Sequence, residues 1–553
     1  MIFISILTLI VAKALPSIYK NISNTYFIRI SAIVFLYAGV LSLNTLNLQS
    51  IGSGIGIYSG LFHVTNISVF IEFFLLLIGS IILIAWPLYT GSNASQQSNN
   101  NLTASSNSNT NSSSLAAGGG EGTDYSLIVL FSTLGSCLLI SSSDLISMYL
   151  SIELQSFGLY VLATLYRDSE SSTKAGLKYF LLGGLSSCLI LLGSGLIYAY
   201  TGLTNFESIY SLVSASDYNS IVQGLYLGII IIIIGFLFKI SAAPLHNWSP
   251  DVYDETPTIV TIWLTIMPKI SILILLLEII THTDPSYFIG WGADSSNLGS
   301  IKNLLLLSSL LSLIIGTVVG LAQTRIKRLL AYSTISHIGF ILLALLINTE
   351  QSIDSLLFYI VQYSLTNLNI FLILIALSYI MSSNTNILEK NSKNSFRDIR
   401  YISDLKGQFF SNPLLSLSLS ICLFSMAGIP PLMGFFSKQF VLYSALQSGY
   451  YFISIVAIIV SVISASYYLK VIKVLQESGE ESEGSFAGVE EVKSSPASQP
   501  KVGRENNLEA APVLTSFHSF IISTLTLSIL LFIFKPSLIL NSTQLLSLSL
   551  FNF

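Results

Sequence analysis

Residues 226–255 read YLGIIIIIIGFLFKISAAPLHNWSPDVYDE. The apolar opening has the character of a membrane-spanning helix. Pro244 has no N–H to donate and ends that helix soon after Lys239. The polar segment HNWSPDVYDE follows at once. A helix that stops inside a bilayer frees backbone polar groups, which are tolerated only where protein or a watery cavity surrounds them. Lys239 lies at the edge of the break, where snorkelling is difficult. A lysine at mid-bilayer costs roughly 2.5–3.5 kcal/mol on insertion scales. The stretch therefore reads as the working midplane of a helical membrane protein.

The rest of the chain agrees with that class. Of its 553 residues 52% are hydrophobic and 9% charged, against a usual charged share of about 25%. Mean hydropathy is +0.73. Apolar runs recur from end to end, and about fourteen can be read as spans. Their centres lie near residues 10, 37, 79, 133, 153, 187, 231, 268, 312, 338, 368, 422, 460 and 524. Strand alternation is absent, so a barrel is not expected. The fold class is an all-α polytopic membrane protein. GSGIGIYSG (52–60) carries spaced glycines but follows no strand and opens no dinucleotide-binding unit, so it is expected to be a loop.

Basic residues set the orientation. With connections numbered in order, the odd ones hold Lys20, Arg29, Arg167 and Lys174, then Arg325, Lys327 and Arg328. Lys390, Lys393, Arg397, Arg400 and Lys406 follow, then Lys470, Lys473, Lys493, Lys501 and Arg504. The even side holds only Lys302 and Lys535. The basic loops are thus expected in the cytoplasm-like compartment, which is the matrix in a mitochondrion, with both termini on the other face. No Arg-rich presequence precedes MIFISILTLIVAKALP, so the first segment is expected to be a retained span.

The chain divides into a three-helix segment (1–90), a low-complexity linker expected to be disordered (91–123), a first repeat (124–280) and a second repeat (281–475). An acidic loop, also expected to be disordered (476–512), and a C-terminal helix with a tail (513–553) complete it. Spans 4–8 and 9–13 form two sets of five. The fourth member of each is broken by proline: FKISAAPLHNWSP in one, MAGIPPLMGFFSK in the other. Five is odd, so the sets would be inverted relative to each other, as in transporters whose active midplane lies at paired broken helices. Two ordinary proline kinks are the alternative.

Few residues can carry chemistry in so apolar a chain. Glu153 lies in LISMYLSIELQSFGLYVLAT and is the obvious partner for Lys239, as a switchable pair or a static ion pair. Lys269 follows Pro268 in IVTIWLTIMPKISILILLLE, with no carboxylate at its own level; Glu278 is about two turns away. Lys438 follows Pro430 and Pro431, near Gly434. Buried ionisable residues of this kind mark ion or proton paths. His337 in AYSTISHIGF is either a core histidine or a relay, its neighbours Ser333, Thr334 and Ser336 forming a polar strip. Lys178 is either a relay or a snorkelling lysine. His246 reads as structural, and Lys13 and Glu72 are given no role. Cys137, Cys188 and Cys422 have no CxxC spacing and offer neither a disulfide framework nor an iron–sulfur site. There is no Walker A sequence, no metal-ligand cluster and no nucleic-acid-binding stretch.

Five motifs carry a resemblance: SIELQSFGLYVLATLYR (151–167), AGLKYFLLGGLSS (175–187), FKISAAPLHNWSPDVYDETPT (238–258), RLLAYSTISHIGF (328–340) and AGIPPLMGFFSKQFVL (427–442). Together they resemble the antiporter-like membrane subunits of respiratory complex I. The resemblance implies about fourteen spans in two inverted five-helix repeats, and a hydrophilic axis that falls here on Glu153, Lys239, Lys269 and Lys438. Lysine rather than glutamate at Lys438, and no long lateral helix after the last span, favour one branch of the family. The implied activity is proton translocation, with NAD, FMN, iron–sulfur clusters and ubiquinone held by other subunits and no cofactor in this chain. Implied partners are the other membrane subunits and phospholipids, in the mitochondrial inner membrane with the basic loops facing the matrix.

Overall fold

The computed structural model describes residues 1–15, 24–47, 54–85, 121–166, 169–215, 220–283, 298–388, 398–477 and 516–551. The linker expected at 91–123 and the loop expected at 476–512 lie almost wholly outside the described residues, as do Lys20, Arg167, Lys390, Lys393, Arg397, Lys493, Lys501 and Arg504.

The elements are helices α1 (Ile2–Ala14) and α2 (Asn24–Thr45), strands β1 (Ile55–Ile57) and β2 (Phe62–Val64), then helices α3 (Asn66–Ile84), α4 (Glu121–Ile140), α5 (Leu145–Ala163), α6 (Glu170–Thr201), α7 (Phe206–Ala215) and α8 (Ser220–Lys239). Next come α9 (Ser249–Glu255), α10 (Thr258–Thr283), α11 (Leu298–Leu321), α12 (Ile326–Ile347) and α13 (Glu350–Leu388). The chain closes with α14 (Pro413–Ala427), α15 (Met433–Gln447), α16 (Tyr451–Gln476), α17 (Ser516–Leu530) and α18 (Ser537–Phe551). Among the described residues ten helices are long and apolar enough to cross a membrane; Ile2–Ala14, Asp124–Ile140, Gln223–Lys239 and Pro413–Ala427 are shorter apolar helices.

Two details differ from the sequence reading. The described part of that stretch, from residue 54, is more than a loop: β1 and β2 pair antiparallel, Ile55 with Val64 and Ile57 with Phe62. Tyr58, Ser59 and Gly60 all have positive φ, the backbone a tight hairpin turn needs. Ser143 and Asn205 donate to the Gly60 carbonyl and tie this hairpin to the ends of neighbouring spans. The C-terminal tail also contains a second helix, α18, which packs on α13 and on α3.

Helices α10 and α12 are enclosed over nearly their whole length. Helix α12 keeps the polar strip of Ser333, Thr334, Ser336 and His337 buried against its neighbours. The two helices carry Lys269 and His337, so two chemistry-bearing residues occupy the most enclosed positions. The strongest helix pairings are α6 with α8, α11 with α12, α2 with α3 and α4 with α5. Close approach needs glycine: at Gly135 an added Cβ would meet the Gln155 backbone of α5, and at Gly316 the Tyr332 and Ser336 backbone of α12.

The breaks satisfy their freed backbone groups in different ways. After α8, Ser241 takes φ +63°, and the Trp248 indole N–H donates to the Phe238 carbonyl at 2.9 Å. After α14, Gly428 takes the left-handed conformation at φ +88°. Its N–H and that of Ile429 return to the Phe424 carbonyl at 3.1 and 3.2 Å. Gly434 then packs α15 directly on the Ser425 backbone, and its N–H donates to the Ser425 hydroxyl at 3.2 Å.

A Cβ at Gly434 would overlap the Ser425 carbonyl, whereas one at Gly184 meets nothing within 4 Å. Gly434→Ala should therefore cost about 2–3 kcal/mol or more through overpacking. Immunoblots of native gels should show the chain depleted from its assembly, while Gly184→Ala accumulates normally. Equal accumulation of both variants would contradict this packing.

Candidate functional site

The site is a row of buried amines, each given a different set of acceptors. Lys239 ends α8, and its Nζ donates to the Ser156 hydroxyl at 2.7 Å. Its distance to Glu153 Oε1 is 3.6 Å, an ion-pair separation rather than a hydrogen bond. The side chains are 7% and 15% exposed. Glu153 and Ser156 both lie on α5, three residues apart and hence on one face. That oxygen of Glu153 has no hydrogen-bond partner among the described residues. The two groups are held by charge rather than by a hydrogen bond between them.

Lys269 is 3% exposed. Its Nζ donates to the Thr334 hydroxyl of α12 at 3.4 Å and stands 5.4 Å from the centre of the Tyr253 ring, a cation–π distance. Tyr253 belongs to α9, just past the first break. The Trp248 and Tyr253 rings meet edge to face at 6.0 Å, and Trp248 stacks on Tyr179 at 4.8 Å. Gln155 of α5 donates to Ser271 of α10 at 2.9 Å and to Ser136 of α4 at 3.1 Å.

His337 of α12 is held from both sides. Nδ1 lies 2.7 Å from the Tyr359 hydroxyl of α13, and Nε2 lies 3.2 Å from the Tyr468 hydroxyl of α16. Three residues along α12, Phe340 stacks on Tyr359 at 5.9 Å and presents its face to the Lys438 ammonium at 5.7 Å. Lys438 donates to the Met426 and Ala427 carbonyls, each at 2.9 Å. These are among the carbonyls that the break of α14 leaves without helical partners. Lys438 therefore has main-chain acceptors where Lys239 has a hydroxyl, with a carboxylate at ion-pair distance.

Lys178 sits apart from this row. Its ammonium pairs with Asp251 of α9, which Arg328 of α12 also contacts. Arg325 donates to Asp254 at 2.6 Å, and Lys327 donates to Asp398 at 2.8 Å and to the Thr256 carbonyl at 2.9 Å. This lattice binds the segment after the first break to the start of α12. The sequence reading assigned no role to Asp251, Asp254 or Asp398. Nor did it single out the hydroxyls of Ser156, Tyr359 and Tyr468, whose types are common and whose partners lie far away in the chain. His246 belongs to the first break; its Nδ1 has no partner among the described residues. Lys13 pairs with Asp124 of α4. Among the described residues no group of three metal-ligating side chains occurs.

Burial alone would raise the Asp398 carboxyl. The Lys327 charge and hydrogen bonds from Lys327 and the Thr258 N–H outweigh it, holding the carboxyl below its ordinary value. A carboxyl lowered by folding adds stability above its unfolded value and loses it as pH falls through the folded one. Asp398→Asn should thus cost about 3 kcal/mol at neutral pH. The difference in melting temperature from the native chain should hold down to mildly acid pH and shrink only below about pH 4. A difference that grows on acidification would contradict the assignment.

The family described as NADH:quinone oxidoreductase/Mrp antiporter, TM, matches residues 142–464, which includes every residue of the row. The chain is 49% identical over 553 residues to NADH-ubiquinone oxidoreductase chain 2 of Rhizopus oryzae, covering 100% of each. It is 41% identical over 354 residues to NADH-ubiquinone oxidoreductase chain 2 of Marchantia polymorpha, covering 63% of this chain and 66% of the relative. Its fold is similar to a chain of respiratory complex I from Thermus thermophilus, with TM-score 0.67, 23% identity, and coverage of 98% of this chain and 97% of that one. The broken helices, the enclosed lysines and these matches agree: the chain belongs to the NADH:quinone oxidoreductase/Mrp antiporter membrane family.

Proposed function

We infer that this chain is the chain 2-type, proton-translocating membrane subunit of respiratory NADH:ubiquinone oxidoreductase. The relatives' names support the complex. The observation that carries proton transfer is the row itself: Lys239, Lys269 and Lys438 are enclosed in the bundle, and each meets a hydroxyl, carboxylate or carbonyl. Low dielectric makes a permanent unpaired charge costly there. An amine that gains and loses a proton with its neighbour's state avoids that cost.

In this reading Glu153 biases Lys239. When the carboxylate is close, the ammonium is favoured; when the pair opens, the proton moves on. Protons pass from Lys239 to Lys269 and then, by the hydroxyls around His337 and intervening water, to Lys438 and the outer face. Lys178 joins the row from the basic side, through the lattice it forms with Asp251. The fourteen spans comprise the ten long helices and the four shorter apolar ones. Spans 4–8 and 9–13 are the inverted repeats, with breaks at α8 and α14. The basic loops face the matrix of a mitochondrial inner membrane. The other membrane subunits and phospholipids surround the chain, and the redox groups reside in other subunits.

The family description also names Mrp antiporters, so a stand-alone cation/proton antiporter is the second reading. Copurification separates them: a megadalton assembly with NADH activity supports the subunit, and a free chain in mild detergent supports the antiporter. A purely structural spacer would tolerate substitution at every buried lysine.

Lys239→Ala and Lys269→Ala should assemble yet lower proton pumping about tenfold or more, if each amine carries an obligatory transfer. Proton uptake by reconstituted vesicles during NADH oxidation reads this out, and unchanged pumping in both variants removes the relay. Glu153→Gln should weaken coupling more than it weakens assembly. Collapse of assembly with intact coupling in the surviving complex would instead make the Glu153–Lys239 pair a static strut.

A further inference from the structure

Helix α13 carries a second buried polar seam that the row does not use. Asn367 and Asn369 are fully enclosed, and the Oδ1 of each has no partner among the described residues. Asn369 Nδ2 donates to the Cys422 sulfur of α14 at 3.1 Å. Asn367 Nδ2 donates to the Tyr363 hydroxyl at 3.3 Å. One turn nearer the outer face, Gln362 accepts from Ser437 at 3.3 Å, and Ser437 adjoins Lys438. In the other direction, His518 in the first turn of α17 is 1% exposed and reaches the Leu372 carbonyl of α13 at 3.1 Å.

The order of these groups gives the seam a direction. On the proposed topology α13 runs from the outer face to the basic face, and α17 begins at the basic face. Ten residues of helix separate Gln362 from Leu372, about 15 Å, or half of a roughly 30 Å hydrocarbon core. The seam therefore runs from the basic side to the second break. Buried amide oxygens without protein acceptors or donors are costly in so apolar a place and are normally met by water. Cys422 and Asn369 lie on the basic side of the break, and the carbonyls that hold Lys438 lie at its end.

We propose that this seam is a hydrated inlet that brings protons from the basic side to Lys438, alongside the transfer through Lys239 and Lys269 on which its discharge depends. His518 takes a proton from the aqueous side on one ring nitrogen and passes one to water in the seam. Asn369 and Asn367 order that water with one N–H and one carbonyl each and are not themselves protonated. The neutral Lys438 amine accepts the proton and becomes the ammonium, while the imidazole is left as its other tautomer and resets by turning its ring. No bond other than N–H and O–H changes, and no electron moves. The second repeat is thus filled from its own side of the membrane. This rests on the relay reading above; hydrogen-bonded asparagines that merely hold helices together are the competing role.

The test uses the assembled enzyme in proteoliposomes, with Asn369→Leu, Asn369→Ser and His518→Gln, the last keeping a donor for the Leu372 carbonyl but not a titrating ring. The inlet predicts that Asn369→Leu and His518→Gln lower coupled NADH oxidation and proton transport per assembled complex about threefold or more. Deuterated water should slow them further than it slows the native enzyme, and Asn369→Ser should recover most of the rate. Less assembled enzyme with native turnover and a native isotope effect means helix adhesion and overturns the inlet. If Asn369→Leu does not assemble, His518→Gln decides alone. Lys438→Ala separates the two levels: native pumping there sinks the relay itself, whereas impaired pumping there with native Asn369→Leu and His518→Gln sinks only the inlet.

Discussion

An ammonium group enclosed in an apolar bundle must find an acceptor, and the architecture follows from how three of them do. Lys239 uses the Ser156 hydroxyl with Glu153 standing at ion-pair distance. Lys269 has one long hydrogen bond to Thr334 and the face of Tyr253. Lys438 has two main-chain carbonyls. The acceptors thus range from a full charge, through a hydroxyl, to peptide dipoles. A proton held with unequal and adjustable strength along a row is what stepwise transfer requires, and a bundle with no charge at these positions would be simpler to insert.

The helix breaks make these acceptors possible. Pro244 has no N–H to give the Ile240 carbonyl, and the Phe238 carbonyl at the end of α8 accepts from the Ser241 N–H and the Trp248 indole. Gly428 ends α14 in a left-handed turn and leaves the Met426 and Ala427 carbonyls to Lys438. Between the breaks, α10 and α12 are enclosed by other helices, so their polar groups are shielded from lipid. On the basic side, Asp251, Asp254 and Asp398 bind Lys178, Arg325, Lys327 and Arg328 into a lattice that fixes where α9 and α12 meet. That lattice spans the junction of the two proposed repeats and ties the segment after the first break to the start of α12.

Much of this was legible in the sequence because a bilayer punishes charge and rewards apolar length. The segment around Ile229–Ile234 announces a helix, and Pro244 soon after Lys239 announces its break. The pairing of Glu153 with Lys239 followed from their being a carboxylate and an amine with little else to meet, and the structure places them together. What could not be read were partners that depend on three-dimensional meeting. Tyr468 lies 131 residues from His337, and Asp398 lies 71 from Lys327; serines and tyrosines are too common for their types to signal a role. The hairpin at Ile55–Val64 escaped notice because three-residue strands leave no alternation to detect. Lys178 was ambiguous for a different reason: a relay lysine and a snorkelling one both sit a turn inside a span, and its partner Asp251 lies 73 residues away.

The central claim is that the enclosed amines exchange protons with one another through an aqueous corridor. The most direct measurement is a density map of the assembled complex at a resolution that shows ordered water. Water molecules should bridge Lys239, Lys269 and Lys438 through the hydroxyls of α12 and α13. Dry side-chain packing between the three nitrogens, or nitrogens turned toward acyl chains, would contradict that claim.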